Sequence, residues 1–230
     1  MTEQDLKTIN IAIDGPAGAG KSTLSKLLAS RLGFLYIDTG ALYRAIGLMA
    51  LRSNIPASDD KCLRSLLGSI KIEIRFKNGG QHVYVNGEDV STQIRSPEVS
   101  MAASAYSAVP QVRTFLLGLQ KDMAARNNVV MDGRDIGTVV LPNADLKIFL
   151  TASAQDRANR RYTEMIQRGD TADYAQVLED MIKRDAADSE REIAPLKQAD
   201  DAVLLDTTGF TLEASLDALL ALVRSKLSLT

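Results

Sequence analysis

Gly15-Pro-Ala-Gly-Ala-Gly-Lys-Ser22 is the stretch that decides the fold. It follows the pattern of Gly, four residues, Gly, Lys, then Ser or Thr, the phosphate-binding loop of one class of α/β proteins. Its setting agrees. Ile9, Ile11 and Ile13 ahead of it make a short apolar strand. Leu24, Leu27, Leu28 and Leu32 behind it have helical spacing. Glycines let the chain turn tightly, so that successive backbone N–H groups converge on one anion. The helix that follows adds the positive end of its dipole. Gly15, Pro16, Ala17, Gly18, Ala19, Gly20, Lys21, Ser22 and Thr23 are therefore the expected ATP-phosphate site. Lys21 reaches the outer phosphates, and the Ser22 hydroxyl is placed to hold Mg²⁺.

Outward from this loop the order is strand, helix, strand, helix. Phe34 to Ile37 is a second apolar strand, and Asp38-Thr-Gly40 turns into a helix through Leu42, Ile46 and Met49. That alternation predicts a P-loop three-layer α/β fold, a central parallel sheet with helices on both faces. Val129 to Met131, Leu146 to Leu150 and Val203 to Asp206 supply further strands. Helices are expected over 109–125, 151–167, from Asp173 to about Arg191, and at the C-terminus.

Between residues 63 and 105 the texture differs. Ile70, Ile72, Ile74 and Phe76 alternate with Lys71, Glu73, Arg75 and Lys77, a half-exposed strand. Asn78-Gly79-Gly80 and Asn86-Gly87 offer hairpin turns. The stretch reads as a small antiparallel insertion in a single domain spanning 1–230.

Composition narrows the function. The 230 residues carry 45% hydrophobic and 24% charged side chains and a net charge of −2. That is ordinary for a globular chain and a poor match to a polymeric nucleic acid partner. The N-terminal MTEQDLK is polar, with no apolar signal core, and no run approaches a membrane span. A cytoplasmic monomer without a membrane partner is the default. Cys62 is the one cysteine and His82 the one histidine. They are expected to be a packed thiol and an ordinary strand residue, since neither has companions for a metal.

A bound triphosphate calls for cationic side chains, and three groups present themselves. Asp38-Thr-Gly-Ala-Leu-Tyr-Arg44 follows a strand at the ligand-binding edge; Thr39 either caps the next helix or touches a ligand. Asp132-Gly-Arg-Asp135 ends an apolar strand where a carboxylate meets Mg²⁺, directly or through water. Arg157, Arg160 and Arg161 share one helical face, as do Arg184, Asp188 and Arg191. Either face is solvated or closes over phosphates. The polar loop Arg168 to Asp173 between them suits a lid, taken with the preceding helix as about 155–173.

With these motifs in hand the chain closely resembles the bacterial cytidylate kinases, a family of nucleoside monophosphate kinases. The matching segments are Ile13 to Ser22, Asp38 to Arg44, Val85 to Val90, Asp132 to Thr138, Arg157 to Arg161, Lys183 to Asp185, Ala194 to Leu196 and Asp206 to Thr208. The resemblance implies ATP and CMP or dCMP as substrates, Mg²⁺ with the ATP, and an enlarged monophosphate-binding insertion. It places Thr39, Arg44, Arg134 and Arg191 around the monophosphate and Arg184 and Asp188 near the sugar. Ser104, Arg113 and Asp135 would read the base. Arg157, Arg160 and Arg161 would belong to the lid over ATP. Lys21, Arg44, Arg134, Arg160 and Arg161 would carry the catalytic charge, and Ser22 and Asp132 the metal. A kinase for another monophosphate or a small hydroxylated acid remains the alternative at this stage. A nucleotide-gated switch protein is the second.

Overall fold

The structure is a computed structural model that describes residues 8–77 and 80–227. The MTEQDLK segment and the Asn78-Gly79 part of the expected turn lie outside the described residues. The chain begins with β1 (Asn10–Asp14), α1 (Lys21–Leu32), β2 (Leu35–Asp38) and α2 (Thr39–Arg52). It continues through α3 (Asp60–Ser69), β3 (Ile72–Lys77), β4 (Gly80–Val85), β5 (Glu88–Asp89), α4 (Pro97–Ser107) and α5 (Pro110–Arg126). Then come β6 (Val129–Gly133), a π-helical turn (Ile136–Val140), β7 (Leu146–Thr151), α6 (Ala154–Gln167), α7 (Tyr174–Glu190), β8 (Val203–Asp206) and α8 (Leu212–Leu227). Two compact units result, one formed by residues up to Leu35 together with Arg126 onward, the other by Tyr36–Ala125.

The first unit is built on a parallel sheet in the order β2-β6-β1-β7-β8. Its edge strand β2 enters at Leu35, whose N–H donates to Asn128 O at 2.9 Å. β1 pairs with β6 so that Ile13 lies opposite Asp132 and Asp14 opposite Gly133. On its other side it pairs with β7, Ile13 opposite Ile148. A strand flanked on both sides and covered by helices can afford almost no polar side chain, and Ile11, Ala12 and Ile13 are fully buried. Leu24 and Leu28 of α1 and Leu219 and Val223 of α8 complete this core. The strand ends of β1 and β6 therefore emerge side by side, with Asp14 the last residue of β1 and Asp132 the last but one of β6.

The second unit packs α2 against α4 and carries a three-stranded antiparallel sheet, β3-β4-β5. Leu42, Ile46, Leu63, Val83, Val85, Val112 and Leu116 form its core. Asn86 and Gly87 both have positive φ, 49° and 86°, as the tight turn between β4 and β5 requires.

Four expectations are corrected. The stretch 63–105 carries the expected antiparallel sheet, but most of α3 and most of α4 also fall within it. Ser96 caps α4 by accepting from Val99 N, and Pro97 opens it, a helix-start signature that the alternation upstream obscured. The helix expected from Thr151 starts at Ala154 behind a Ser153 cap, and Thr151 closes β7. Asp38, not Thr39, caps α2, by accepting from Ala41 N at 2.9 Å. Cys62 is exposed rather than packed, in the first turn of α3. The Asp59 carboxylate beside it raises its thiol pKa, so little of it is nucleophilic thiolate. His82 lies on β4, as expected.

Candidate active site

In the first unit the phosphate loop runs from β1 to α1 under tight steric control. Gly15 has φ 148°, and a Cβ there would sit 1.9 Å from Leu150 O of β7. Any side chain would push the loop off the sheet. Gly18 and Gly20 are left-handed, with φ of 72° and 87°. Gly20 caps α1 without a side chain, so the first-turn N–H groups of α1 face the loop's own hollow, the arrangement that binds phosphate.

Lys21 is buried and its Nζ donates to Pro16 O at 2.6 Å. Burial, then the nearby Arg134 guanidinium, push its pKa well below the ordinary lysine range. Asp132 and Asp14 oppose that shift. The ammonium is thus held inside a ring of charges that an anionic phosphate would rebalance.

Ser22 Oγ donates to Asp132 Oδ2 at 2.8 Å. Asp132 is 4% exposed, at the end of β6. This pair is an all-oxygen donor set, which suits a hard cation that keeps waters and phosphate oxygens as its other ligands. Among the described residues no cluster of three or more His, Cys, Asp or Glu forms a self-sufficient metal site. The Ser22–Asp132 pair thus fits Mg²⁺ brought in with a nucleotide.

Beyond Asp132 the same segment is held by α7. Arg134 Nε donates to Asp188 Oδ2 at 2.8 Å. Arg191 Nη2 donates to Asp135 Oδ1 at 3.4 Å. Arg191 stands just past the end of α7 in extended conformation, so it does not share a helical face with Arg184 and Asp188 as its spacing suggested. Arg184 is exposed.

The three arginines of α6 part company. Arg157 is buried, and donates to Ala152 O at 2.9 Å and to Ala17 O of the phosphate loop at 3.0 Å. It also pairs with Asp185 of α7 at 2.6 Å. Arg160 donates to Thr207 O at 2.9 Å and Ala19 O at 3.4 Å. Arg161 is exposed, with Glu164 3.5 Å away.

A family model for cytidylate kinase matches residues 11–225. The chain belongs to the cytidylate kinase family. A cytidylate kinase of Caldicellulosiruptor bescii is 54% identical over 217 residues, 94% of this chain and 96% of that one. A cytidylate kinase of a Geobacillus species is 49% identical over 219 residues, covering 95% and 98%. The crystal structure of an uncharacterized Eubacterium ventriosum protein superposes over 95% of this chain and 99% of that one with a TM-score of 0.53. At 14% identity that likeness concerns the fold alone.

The second unit of this cytidylate kinase family member holds the remaining candidates. Thr39 is buried at the start of α2. Arg44 donates through Nη2 to Asp38 Oδ2 at 2.7 Å, while its Nε is buried without an acceptor. Gln81 of β4 brackets Asp38: its Oε1 accepts from Asp38 N at 2.8 Å and its Nε2 donates to Asp38 O at 3.2 Å. Arg113 is buried, donates to Ser107 O at 3.1 Å and lies 5.8 Å from the centre of the Tyr43 ring. Ser104 is half-buried on α4.

Sequence reasoning missed Asp14, Gln81, Asp185 and Thr207. For Asp14 a signal existed: it is the acidic last residue of a strand whose three preceding residues are apolar. Gln81 and Asp185 carry no local signal, because their partners lie far along the chain.

Proposed function

We propose that this protein transfers the γ-phosphoryl group of ATP to the phosphate of CMP or dCMP, giving CDP or dCDP and ADP. The observation that carries the reading is the Ser22–Asp132 bond. It ties the phosphate loop to Asp132-Gly-Arg-Asp135, one of the segments that carry the resemblance to the cytidylate kinases. In the reaction the loop N–H groups and Lys21 hold the outer phosphates of ATP. Ser22 and Asp132 would hold Mg²⁺ arriving with the nucleotide, which would supply charge neutralisation at the phosphates. Arg44, Arg134, Arg160 and Arg161 neutralise charge as it spreads over the transferring group. Phosphoryl transfer needs positioning and charge more than covalent help, and the acceptor is a phosphate oxygen with little proton to lose. No general base is required.

Thr39, Arg44, Arg134 and Arg191 receive the monophosphate, and Arg184 and Asp188 the sugar. Ser104, Arg113 and Asp135 select the base. Cytosine presents an amino donor beside acceptors, so a carboxylate at Asp135 and a guanidinium at Arg113 complement it. Uracil presents a carbonyl where the amino group stood and leaves the carboxylate opposing an acceptor. Sites of this kind discriminate by up to roughly 10⁴–10⁵. Residues 63–105 bind the monophosphate, 155–173 act as the lid, and the enzyme works as a cytoplasmic monomer. Among the described residues no helix is long and apolar enough to cross a membrane.

ADP release measured with CMP, dCMP, UMP, AMP and shikimate tests this reading. CMP and dCMP are expected to lead; CMP no better than AMP would overturn it. ATP turnover as fast without an acceptor would instead identify a nucleotide switch. Asp135→Ala is expected to shrink the preference for CMP over UMP, and an unchanged ratio would move base reading to other residues.

A further inference from the structure

Asp14 has entered so far only as one of the charges around Lys21, yet it occupies the junction of the site. It is the last residue of β1, immediately before Gly15. It is 5% exposed, in a strand whose preceding three residues are fully buried. Its carboxylate accepts two main-chain hydrogen bonds, Oδ1 from Ile136 N and Oδ2 from Gly137 N, both at 2.7 Å. One oxygen serves each amide, and the two amides are consecutive. They open the π-helical turn Ile136–Val140, directly after Asp135. Turns of this type are rare and cluster at functional sites.

The turn is drawn close. A Cβ on Gly137 would lie 3.3 Å from Asp14 Oδ2 and 3.1 Å from Lys147 Cδ. Burial raises the Asp14 pKa to about 6, against the lowering effect of the two amides. The fold thus keeps a desolvated carboxylate where an apolar side chain would cost less. What the carboxylate provides is the fixed position of two peptide groups. Two charge-assisted hydrogen bonds on adjacent amides set both the distance and the twist of the chain that leaves Asp135.

We propose that Asp14 is a positioning residue for acceptor selection. It fastens the peptide groups after Asp135 to the strand that launches the phosphate loop, and so keeps the base-reading carboxylate in register with Lys21 and Ser22. This rests on the assignment of Asp135 to the base. The register of β1 on β6 brings the two strand ends level, but it stops at Asp14 and Gly133. Past that point the Ser22–Asp132 bond ties the loop to the end of β6, and the Asp14 carboxylate ties β1 to the peptide groups after Asp135.

The test compares wild type, Asp14→Asn and Gly137→Ala for kcat and for KM toward CMP, UMP and ATP, with thermal melts of each. Asparagine keeps the shape but turns an amide donor toward one of the two N–H groups. Gly137→Ala leaves the carboxylate intact and pushes the turn away from it. Losing one bond of this kind is worth on the order of tenfold in the quantity it controls. Both variants are expected to raise KM for CMP about tenfold and to cut the CMP-over-UMP ratio by a similar factor. KM for ATP should stay within about twofold of wild type in Gly137→Ala, which leaves every charge around Lys21 in place, whereas Asp14→Asn also removes a carboxylate that acts on Lys21 and raises KM for ATP as well. Loss of Ile136 and Gly137 amide protection in hydrogen exchange should accompany the change. If Asp14→Asn fails to fold, Gly137→Ala carries the same readout. An unchanged CMP-over-UMP ratio in a wild type that discriminates would overturn the proposal and leave the function standing. So would KM values for ATP and CMP rising in parallel in Gly137→Ala. A wild type that does not discriminate would overturn both.

Discussion

The two sheets treat charge in opposite ways. In the three inner strands of the parallel sheet, β6, β1 and β7, the charged residues are Asp132, Asp14 and Lys147, each at most 7% exposed. Each has a long-range partner: Ser22 for Asp132, the Ile136 and Gly137 amides for Asp14, and Asp201 for Lys147. In the antiparallel sheet, Glu73 and Arg75 on β3 pair with each other at 2.9 Å near the surface, and Arg75 lies 4.1 Å from the centre of the Tyr84 ring. A sheet buried on both faces admits a charge only where something fixes it. A sheet with one face in water admits charges freely, at little gain or cost. In the first sheet a charged residue is therefore a pointer to chemistry; in the second it is a surface.

The contrast can be broken most sharply at Lys21. If the buried charges at the strand ends serve catalysis, Lys21→Ala lowers kcat by at least roughly 10²–10³, as expected for a group acting on the transition state. Steady-state rates with saturating ATP and CMP measure this, and a near-normal kcat would detach the phosphate loop from the mechanism.

Arginine position along α6 gives the next test. Arg157→Ala leaves the half-buried Asp185 without its cation and removes the donor to Ala17 O, so a loss of about 1–3 kcal/mol in denaturant unfolding is expected. Arg161→Ala, one turn away on the exposed side, should leave the midpoint where it was. Equal effects would mean that burial does not separate the two.

Asp14 offers a pH window. Its carboxyl titrates near 3.8 when unfolded and about 6 in the fold, so the folded protein binds that proton more tightly. The stability this lends is fully present below about pH 4 and is lost as pH rises through about 6. The Tm of wild type relative to Asp14→Asn should therefore fall between those limits and level off above about pH 7. The whole change is worth at most about 3 kcal/mol. A difference flat across the range would mean that the carboxylate is not desolvated. The ionised form, with both oxygens free to accept, is also the one that grips the turn, so stability and grip run in opposite directions with pH.

The smallest effect belongs to the antiparallel sheet. Glu73 is held low, to about 2, by Lys71 and then Arg75, but at a half-exposed surface position. Glu73→Gln is expected to leave the Tm unmoved in physiological salt, and a clear drop would show that this surface too carries structural charge.

What the sequence makes legible follows the same division. β1, the phosphate loop, α1 and β6 can be read because buried parallel strands leave continuous apolar runs ending in Gly or Asp. α4 cannot be read by periodicity, since Val99, Ala103 and Tyr106 are its only buried apolar positions and small residues fill most of the rest. Its cap, Ser96-Pro97, was the available clue. At the site, Lys21, Ser22 and Asp132 are legible because motif and strand end coincide. The division of labour among Arg157, Arg160 and Arg161 is not, because spacing gives a common face while burial depends on what lies over each turn. Arg157 lies against the phosphate loop, and nothing within its own helix says so.

Gln81 has a consequence for transplanting parts of this molecule. Its side-chain amide meets both the N–H and the C=O of Asp38, as the backbone of an adjoining strand would. Asp38 in turn caps α2 and holds Arg44. The hairpin therefore ends β2 with a counterfeit strand one residue long. A replacement hairpin from another protein would need an amide at that one position, whatever the rest of its sequence, or Arg44 would lose its anchor.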